Sequence, residues 1–425
     1  MKFSVESYFN PFLPLGGKRI DAVLTISCDG DGAVSSTKER AVMLILDTSG
    51  SMDNGSRLSN MKMAARIAVE RMPEGTLFGI VTFNSDARVL VPLQRSTAQS
   101  RASASHLIQQ LTANGGTEFS KALLAARTEF LKHPEAIACA RLLTDGENNK
   151  DDTRKWLKSA VTQCQGVFQC DARGVDTDWH PDDLKFIASS LLGNADAVTN
   201  ANKLADDFQD FLNRSFAKSV GGASLRLWSP KTSKLVMVKQ VSPEINDLAP
   251  LMKRIDDKVV EVPLGSWATE KRDYQIAFEL EANNEGEEVL ACRPKLVYVE
   301  NGQTVEVPGQ NIVATWSSDE SKTTRMNKEV AHYNGQGELQ EAIEEGMKAK
   351  AQGNVDVATR LLGKAARLAV QSGNEEVTRR LEKVVQIDDA ATETVRLKRA
   401  DKAADLELEM GATRTVRRAA RPASA

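Results

Sequence analysis

The chain has 425 residues, 41% of them apolar and 27% charged, with a formal net charge of −3. That length predicts two to three domains, each able to bury a core. The near-neutral balance excludes a global attraction to nucleic acid or to an anionic membrane surface, and no run approaches the roughly 20 apolar residues of a membrane helix.

The N-terminal Met1-Lys-Phe-Ser-Val-Glu-Ser has no apolar h-region, so no signal peptide is expected. Residues 1–37 read as strands: Phe3 and Val5 alternate, and Ile20, Val23, Leu24 and Ile26 lead into Asp29-Gly-Asp31-Gly32. An EF-hand loop counted from Asp29 requires glutamate at its twelfth position and then a helix, but Arg40 and a strand stand there, so a turn is expected. Residues 38–220 alternate strands and helices, the pattern of a doubly wound parallel α/β sheet. The unbroken run Ala41–Leu46 reads as a strand buried on both faces. A helical pattern from Leu58 to Met72 follows, then two strands flanking Asn84-Ser85-Asp86 as a hairpin, then a helix over about 97–111. Asn114-Gly115-Gly116-Thr117 precedes a helix from Glu118 to Lys132, and the strand Ile137–Leu143 runs into Thr144-Asp145-Gly146. A strand over 167–175, a helix from Pro181 to Leu192, a short strand near Ala197 and a helix from Lys203 to about Ala217 complete this region.

Gly221-Gly222 marks a boundary. Residues 221–317 carry recurrent short strands with turn residues between them, a β-sandwich pattern. The unpartnered strands of 1–37 are expected to join that sandwich, leaving the α/β domain inserted and tethered at both ends. Residues 318–402 read as helical, with Gln352-Gly353-Asn354 and Ser372-Gly373-Asn374 as the joints and Gly346, Ala349, Ala358, Ala365, Ala366 and Ala369 at close-approach positions. This resembles a tetratricopeptide helix pair, although it covers fewer than the roughly three repeats that stand alone; a plain helical hairpin reads equally well. Residues 403–425 are expected to be a disordered basic tail in which Thr413 and Thr415 are either kinase targets docking on an FHA-type phosphopeptide-binding domain or simply solvated. The five cysteines, Cys28, Cys139, Cys164, Cys170 and Cys292, are odd in number and lie largely in strand-like contexts, which predicts reduced core thiols in a cytoplasmic protein. Cys164 and Cys170 fit no standard zinc spacing, and the four histidines are scattered.

Function is written at the end of the first buried strand. Asp47, Ser49 and Ser51 fall on the loop at its carboxyl end, where open α/β sheets place their ligands. A carboxylate and two hydroxyls on one turn offer hard oxygens to a small divalent cation. This Asp-x-Ser-x-Ser loop, together with Thr117 on a second loop and Asp145 on a third, resembles the metal-ion-dependent adhesion site of the von Willebrand factor A (VWA) family. Three matching loops in chain order make a specific signal. The resemblance implies that Ser49, Ser51 and Thr117 offer hydroxyls to Mg²⁺ (or Mn²⁺ or Ca²⁺), with Asp47 and Asp145 ligating the ion or holding its waters. Two carboxylates only just neutralise such an ion, so an open position favours a partner protein's carboxylate. Asp53, Asn54, Glu118, Glu147 and Asn148 adjoin the ligands and are expected on the partner-binding rim.

Catalysis is not expected. A haloacid-dehalogenase-type phosphatase needs Asp-x-Asp, and Ser49 holds the second position; no Gly-Lys-Ser/Thr phosphate loop follows any strand. The expectation is a bacterial, metal-dependent protein-interaction adaptor in a signalling set, alongside a kinase or phosphopeptide-binding protein. The alternative is a VWA cofactor of a MoxR-type AAA+ ATPase or chelatase.

Overall fold

The computed structural model describes residues 2–30, 38–149, 154–199, 203–300, 302–399 and 401–418. The chain divides into two compact units, one made of residues 1–32, 223–264 and 269–425, the other of 33–222 and 265–268.

The unit centred on residues 33–222 is built on a six-stranded sheet in the order Ala87–Arg95, Leu77–Phe83, Arg40–Asp47, Ile137–Thr144, Gln169–Val175 and Ala195–Val198. Every neighbouring pair is parallel except Leu77–Phe83 with Ala87–Arg95, which closes one edge as a hairpin. Residues Ala41–Leu46 lie at 0–1% exposure because this strand has a partner on each side and helices over both faces. The helix Arg57–Glu70 presents Met61, Ala64, Ala65 and Ala68 to Val42, Leu44 and Leu46, and Phe208, Phe211 and Leu212 of the helix Leu204–Ala217 complete that layer. The small side chains let the helix lie close to the sheet, and the phenylalanines fill the space beside it.

In the other unit, Lys2–Phe9 pairs antiparallel with Arg19–Asp29, which pairs with Glu270–Leu280. That five-stranded sheet continues through Ser233–Ser242 to Asn246–Asp247. A second sheet contains Glu288–Glu300, paired with Gln303–Pro308 and Ile312–Ser317, and the two sheets meet where the tilted Phe3 and Tyr298 rings lie 4.7 Å apart. The helices Lys328–Ala351, Val355–Ser372 and Glu375–Val384 share one apolar core, including Leu339, Ile343, Leu362, Ala366 and Leu381.

Two expectations for the C-terminal third are corrected. Residues 318–402 are not all helical: Val385–Asp389 and Thr394–Leu397 form an antiparallel hairpin. Val385 and Val395 drop into the helical core, and Glu393 in the turn takes a φ of +59°. The expected tail is ordered as far as residue 418. Asp401 accepts hydrogen bonds from the backbone N–H of Ala403 and Ala404 and starts the helix Lys402–Gly411, whose Leu406, Leu408 and Met410 are buried. Asp405 and Glu407 pair with Lys350 and Lys383, so this part of the expected tail is one amphipathic helix. Residues 412–418 then lie along the turn at 241–245, where Ile245 N–H donates to Thr413 O at 2.7 Å and the Thr415 hydroxyl donates to Val241 O at 2.7 Å. Neither threonine stands on a free tail. Residues 419–425 lie outside the described residues.

All five cysteines are buried free thiols, and burial pushes Cys28 up to about 11. No helix among the described residues is long and apolar enough to cross a membrane.

Candidate metal centre

The central strand delivers Asp47, fully buried, to the carboxyl edge of the sheet. One of its oxygens, Oδ1, accepts the Ser49 backbone N–H at 2.7 Å, and Oδ2 accepts the Thr144 hydroxyl. Burial pushes the Asp47 carboxyl up to about 7, against the pull of its hydrogen bonds from Ser49 and Thr144. Three loops are laced to one another by backbone bonds. Gly50 N–H donates to Gly115 O at 2.9 Å, Asn114 N–H to Thr48 O at 2.9 Å and Asn149 N–H to Thr117 O at 2.8 Å. Gly115 holds a φ of +72°, a conformation that glycine adopts without strain.

This lacing gathers the hydroxyls. Ser49 Oγ and Ser51 Oγ are 3.0 Å apart, and Ser51 Oγ donates to Asp145 Oδ1 at 2.7 Å. A Cβ placed on Gly146 would lie 3.1 Å from Thr117 Oγ1, 3.2 Å from Ser51 Oγ and 3.8 Å from Ser49 Oγ. Glycine there keeps open the small space that the three hydroxyls share. The donor set fits a small hard cation: neutral hydroxyl oxygens with a carboxylate alongside, suited to six oxygens at about 2.1 Å. No group of three or more His, Cys, Asp or Glu side chains among the described residues is placed to hold a metal, so the centre is a hydroxyl cradle rather than an acidic cage.

The rim candidates divide. Asp53 and Asn54 are exposed, as is Glu147, which lies 3.1 Å from His180 Nε2. Glu118 is half-buried and paired with Lys121 at 2.9 Å. Asn148 faces inward in part: its Oδ1 accepts the Phe119 backbone N–H at 3.2 Å, at the start of the helix Phe119–Phe130.

Sequence reading missed two supports. Thr144 anchors Asp47, and its signal was a hydroxyl closing a buried strand immediately before Asp145. Arg57, the first residue of the helix Arg57–Glu70, reaches across the cradle's edge. It donates to Asp145 Oδ2 at 2.9 Å, Asp176 Oδ2 at 2.8 Å and Asp178 Oδ2 at 2.8 Å. Asp176 takes a φ of +63°, uncommon for a non-glycine residue. Nothing local to Arg57 announces these partners; the only signal was a pair of acids, Asp176 and Asp178, after a strand.

The profile of the von Willebrand factor type A domain matches residues 42–147, and that of the von Willebrand factor type A C-terminal domain matches residues 367–412. A solved structure of a von Willebrand factor type A protein from Catenulispora acidiphila is 37% identical, covers 98% of this chain and 97% of its own, and superposes with a TM-score of 0.91. The chain belongs to the von Willebrand factor type A family, in its bacterial form. The ArnB paralog VWA2 of Sulfolobus acidocaldarius, 16% identical with a TM-score of 0.60 over 97% of this chain and 98% of its own, shares the fold. An uncharacterized protein of Synechocystis is 29% identical over 232 residues, 54% of this chain and 54% of that protein, so the match spans about half the length of that relative. Calcium-activated chloride channel regulator 1 of Mus musculus is 38% identical over 115 residues, 26% of this chain and 12% of that protein.

Proposed function

We propose that this protein is a non-enzymatic interaction module that captures an acidic side chain of a partner protein through Mg²⁺ held by Ser49, Ser51 and Thr117, with Asp47 and Asp145 behind them. The observation that carries this reading is the meeting of three hydroxyls from two loops over Gly146, with Asp145 beside them. The hydroxyls are neutral and the two carboxylates only just balance the ion's charge, so it stays electrophilic and favours an incoming carboxylate. A nucleophilic role for Asp47 is disfavoured, because both its oxygens already accept hydrogen bonds from the protein. The exposed Asp53, Asn54 and Glu147 are the residues from which partner choice is expected to come, by matching polar and basic groups around the partner's acid.

Calorimetric titration with Mg²⁺ and Mn²⁺ tests the reading. Wild type is expected to bind one ion, and Ser51→Ala to lose roughly tenfold or more in affinity, one coordinating oxygen being gone. Absence of divalent-ion binding by folded wild type would overturn the proposal. Recovery of partners from cell extract with and without EDTA then identifies the class: an AAA+ ATPase would assign the remodelling role, and a kinase or phosphopeptide-binding protein the signalling one.

A further inference from the structure

We propose that Arg57 is a built-in counter-cation that holds down the metal affinity of the cradle, so that firm metal capture waits for the partner's carboxylate. The inference rests on the metal-binding reading above.

Asp145 has two carboxylate oxygens, and neither is free. Oδ1 accepts from Ser51 Oγ and Oδ2 accepts from Arg57 Nη1. A metal at the hydroxyls therefore shares the buried Asp145 carboxylate with a guanidinium. The Arg57 side chain is only 14% exposed, and its guanidinium is fixed by acids from two different loops, Asp145 on one and Asp176 and Asp178 on the other. Three convergent carboxylates keep a planar fork in one orientation, where a lysine would be mobile. Arg57 thus has a fixed address beside the cradle, and its positive charge opposes a second cation there. A partner's carboxylate adds the negative charge that the arginine cancels, so metal and partner are expected to bind cooperatively.

Two substitutions on opposite sides of the ion pair test this by Mg²⁺ calorimetry on the full chain. Arg57→Gln is expected to raise Mg²⁺ affinity at least about tenfold, because a unit positive charge bonded to Asp145 beside the cradle is removed. Asp178→Asn, whose carboxylate is half-exposed on the far side of Arg57, is expected to lower affinity by about two- to fivefold, since it leaves the arginine's charge less neutralised. Arg57→Lys keeps the charge and is expected to stay within about threefold of wild type. A merely structural arginine predicts the reverse for the first variant: losing it loosens Asp145 and weakens binding. Unchanged or weaker binding by Arg57→Gln, with wild type binding normally, overturns the inference and leaves the metal reading standing. No binding by wild type overturns both. Should Arg57→Gln fail to fold in a thermal melt, Asp178→Asn decides, and unchanged or tighter binding by that variant overturns the proposal.

Discussion

At the scale of single residues, the cradle depends on an atom that is not there. Gly146 does not hold the left-handed φ that only glycine takes easily, so alanine meets no backbone strain of that kind, yet its methyl would sit 3.1 Å from Thr117 Oγ1 and 3.2 Å from Ser51 Oγ. Gly146→Ala is therefore expected to keep the fold, with a melting temperature within a few degrees of wild type. It should also abolish Mg²⁺ binding, because the methyl takes the space in which the hydroxyls meet. A variant that still binds Mg²⁺ at wild-type affinity would move the site away from Gly146. Thr144→Val makes the complementary change beneath the site. It removes the hydroxyl that donates to buried Asp47 and is expected to cost about 1–3 kcal/mol of stability, read from denaturant unfolding. The Asp-x-Ser-x-Ser pattern was legible in the sequence because its residues are two apart on one turn. Thr144 and Arg57 were not. One acts 97 positions away on Asp47 and the other 88 positions away on Asp145, and a spacing rule carries no information about such contacts.

Among the elements, the clearest sequence signals were those in which the chain's local chemistry and its packing agree. The run Ala41–Leu46 is buried on both faces as its unbroken apolar character requires. The repeated Gly-Asn joints end one helix and begin the next: Gly353 and Gly373 take φ of +76° and +68°, and Asn354 and Asn374 accept hydrogen bonds from the backbone N–H of Val357 and Val377. The two joints are not equivalent. Asn374 is 1% exposed and also donates to Arg414 O at 2.9 Å, so Asn374→Ala is expected to cost about 2 kcal/mol or more against about 1 for Asn354→Ala. Equal melting temperatures for the two variants would contradict that ranking. The hairpin Val385–Asp389 with Thr394–Leu397 escaped the sequence reading because both strands are short and charged on their outer faces. Its place is set by tertiary contact: a Cβ on Gly363 would meet Glu393 O at 2.2 Å. Only the absence of a side chain in the helix Val355–Ser372 lets the turn approach, and no local pattern reports that.

For the whole molecule, the unit that contains both termini is held by pairings between segments far apart in the chain. Arg19–Asp29 lies against Glu270–Leu280, so this sheet closes only when two segments far apart in the chain meet. The segment 412–418 extends the same logic. Thr415 N–H donates to Pro243 O at 3.0 Å, Val416 O lies 2.7 Å from His332 Nε2, and Arg414 pairs with Glu376 at 3.0 Å. Arg417 approaches Asp273 Oδ1 at 3.1 Å, an acid 1% exposed that also accepts from Thr25 and Tyr333. A strap that bonds to a sheet turn and to two helices stabilises all of them together. Removing residues 413–425 is therefore expected to lower stability by about 2–4 kcal/mol, mainly through the buried polar groups left without partners. Amide hydrogen exchange should locate the damage at 241–245, 329–333 and 374–376, while protection at 41–47 in the other unit stays as it was. Uniform loss of protection through both units would mean that they unfold as one. Unchanged exchange at 241–245 would show that the strap is not held there in solution.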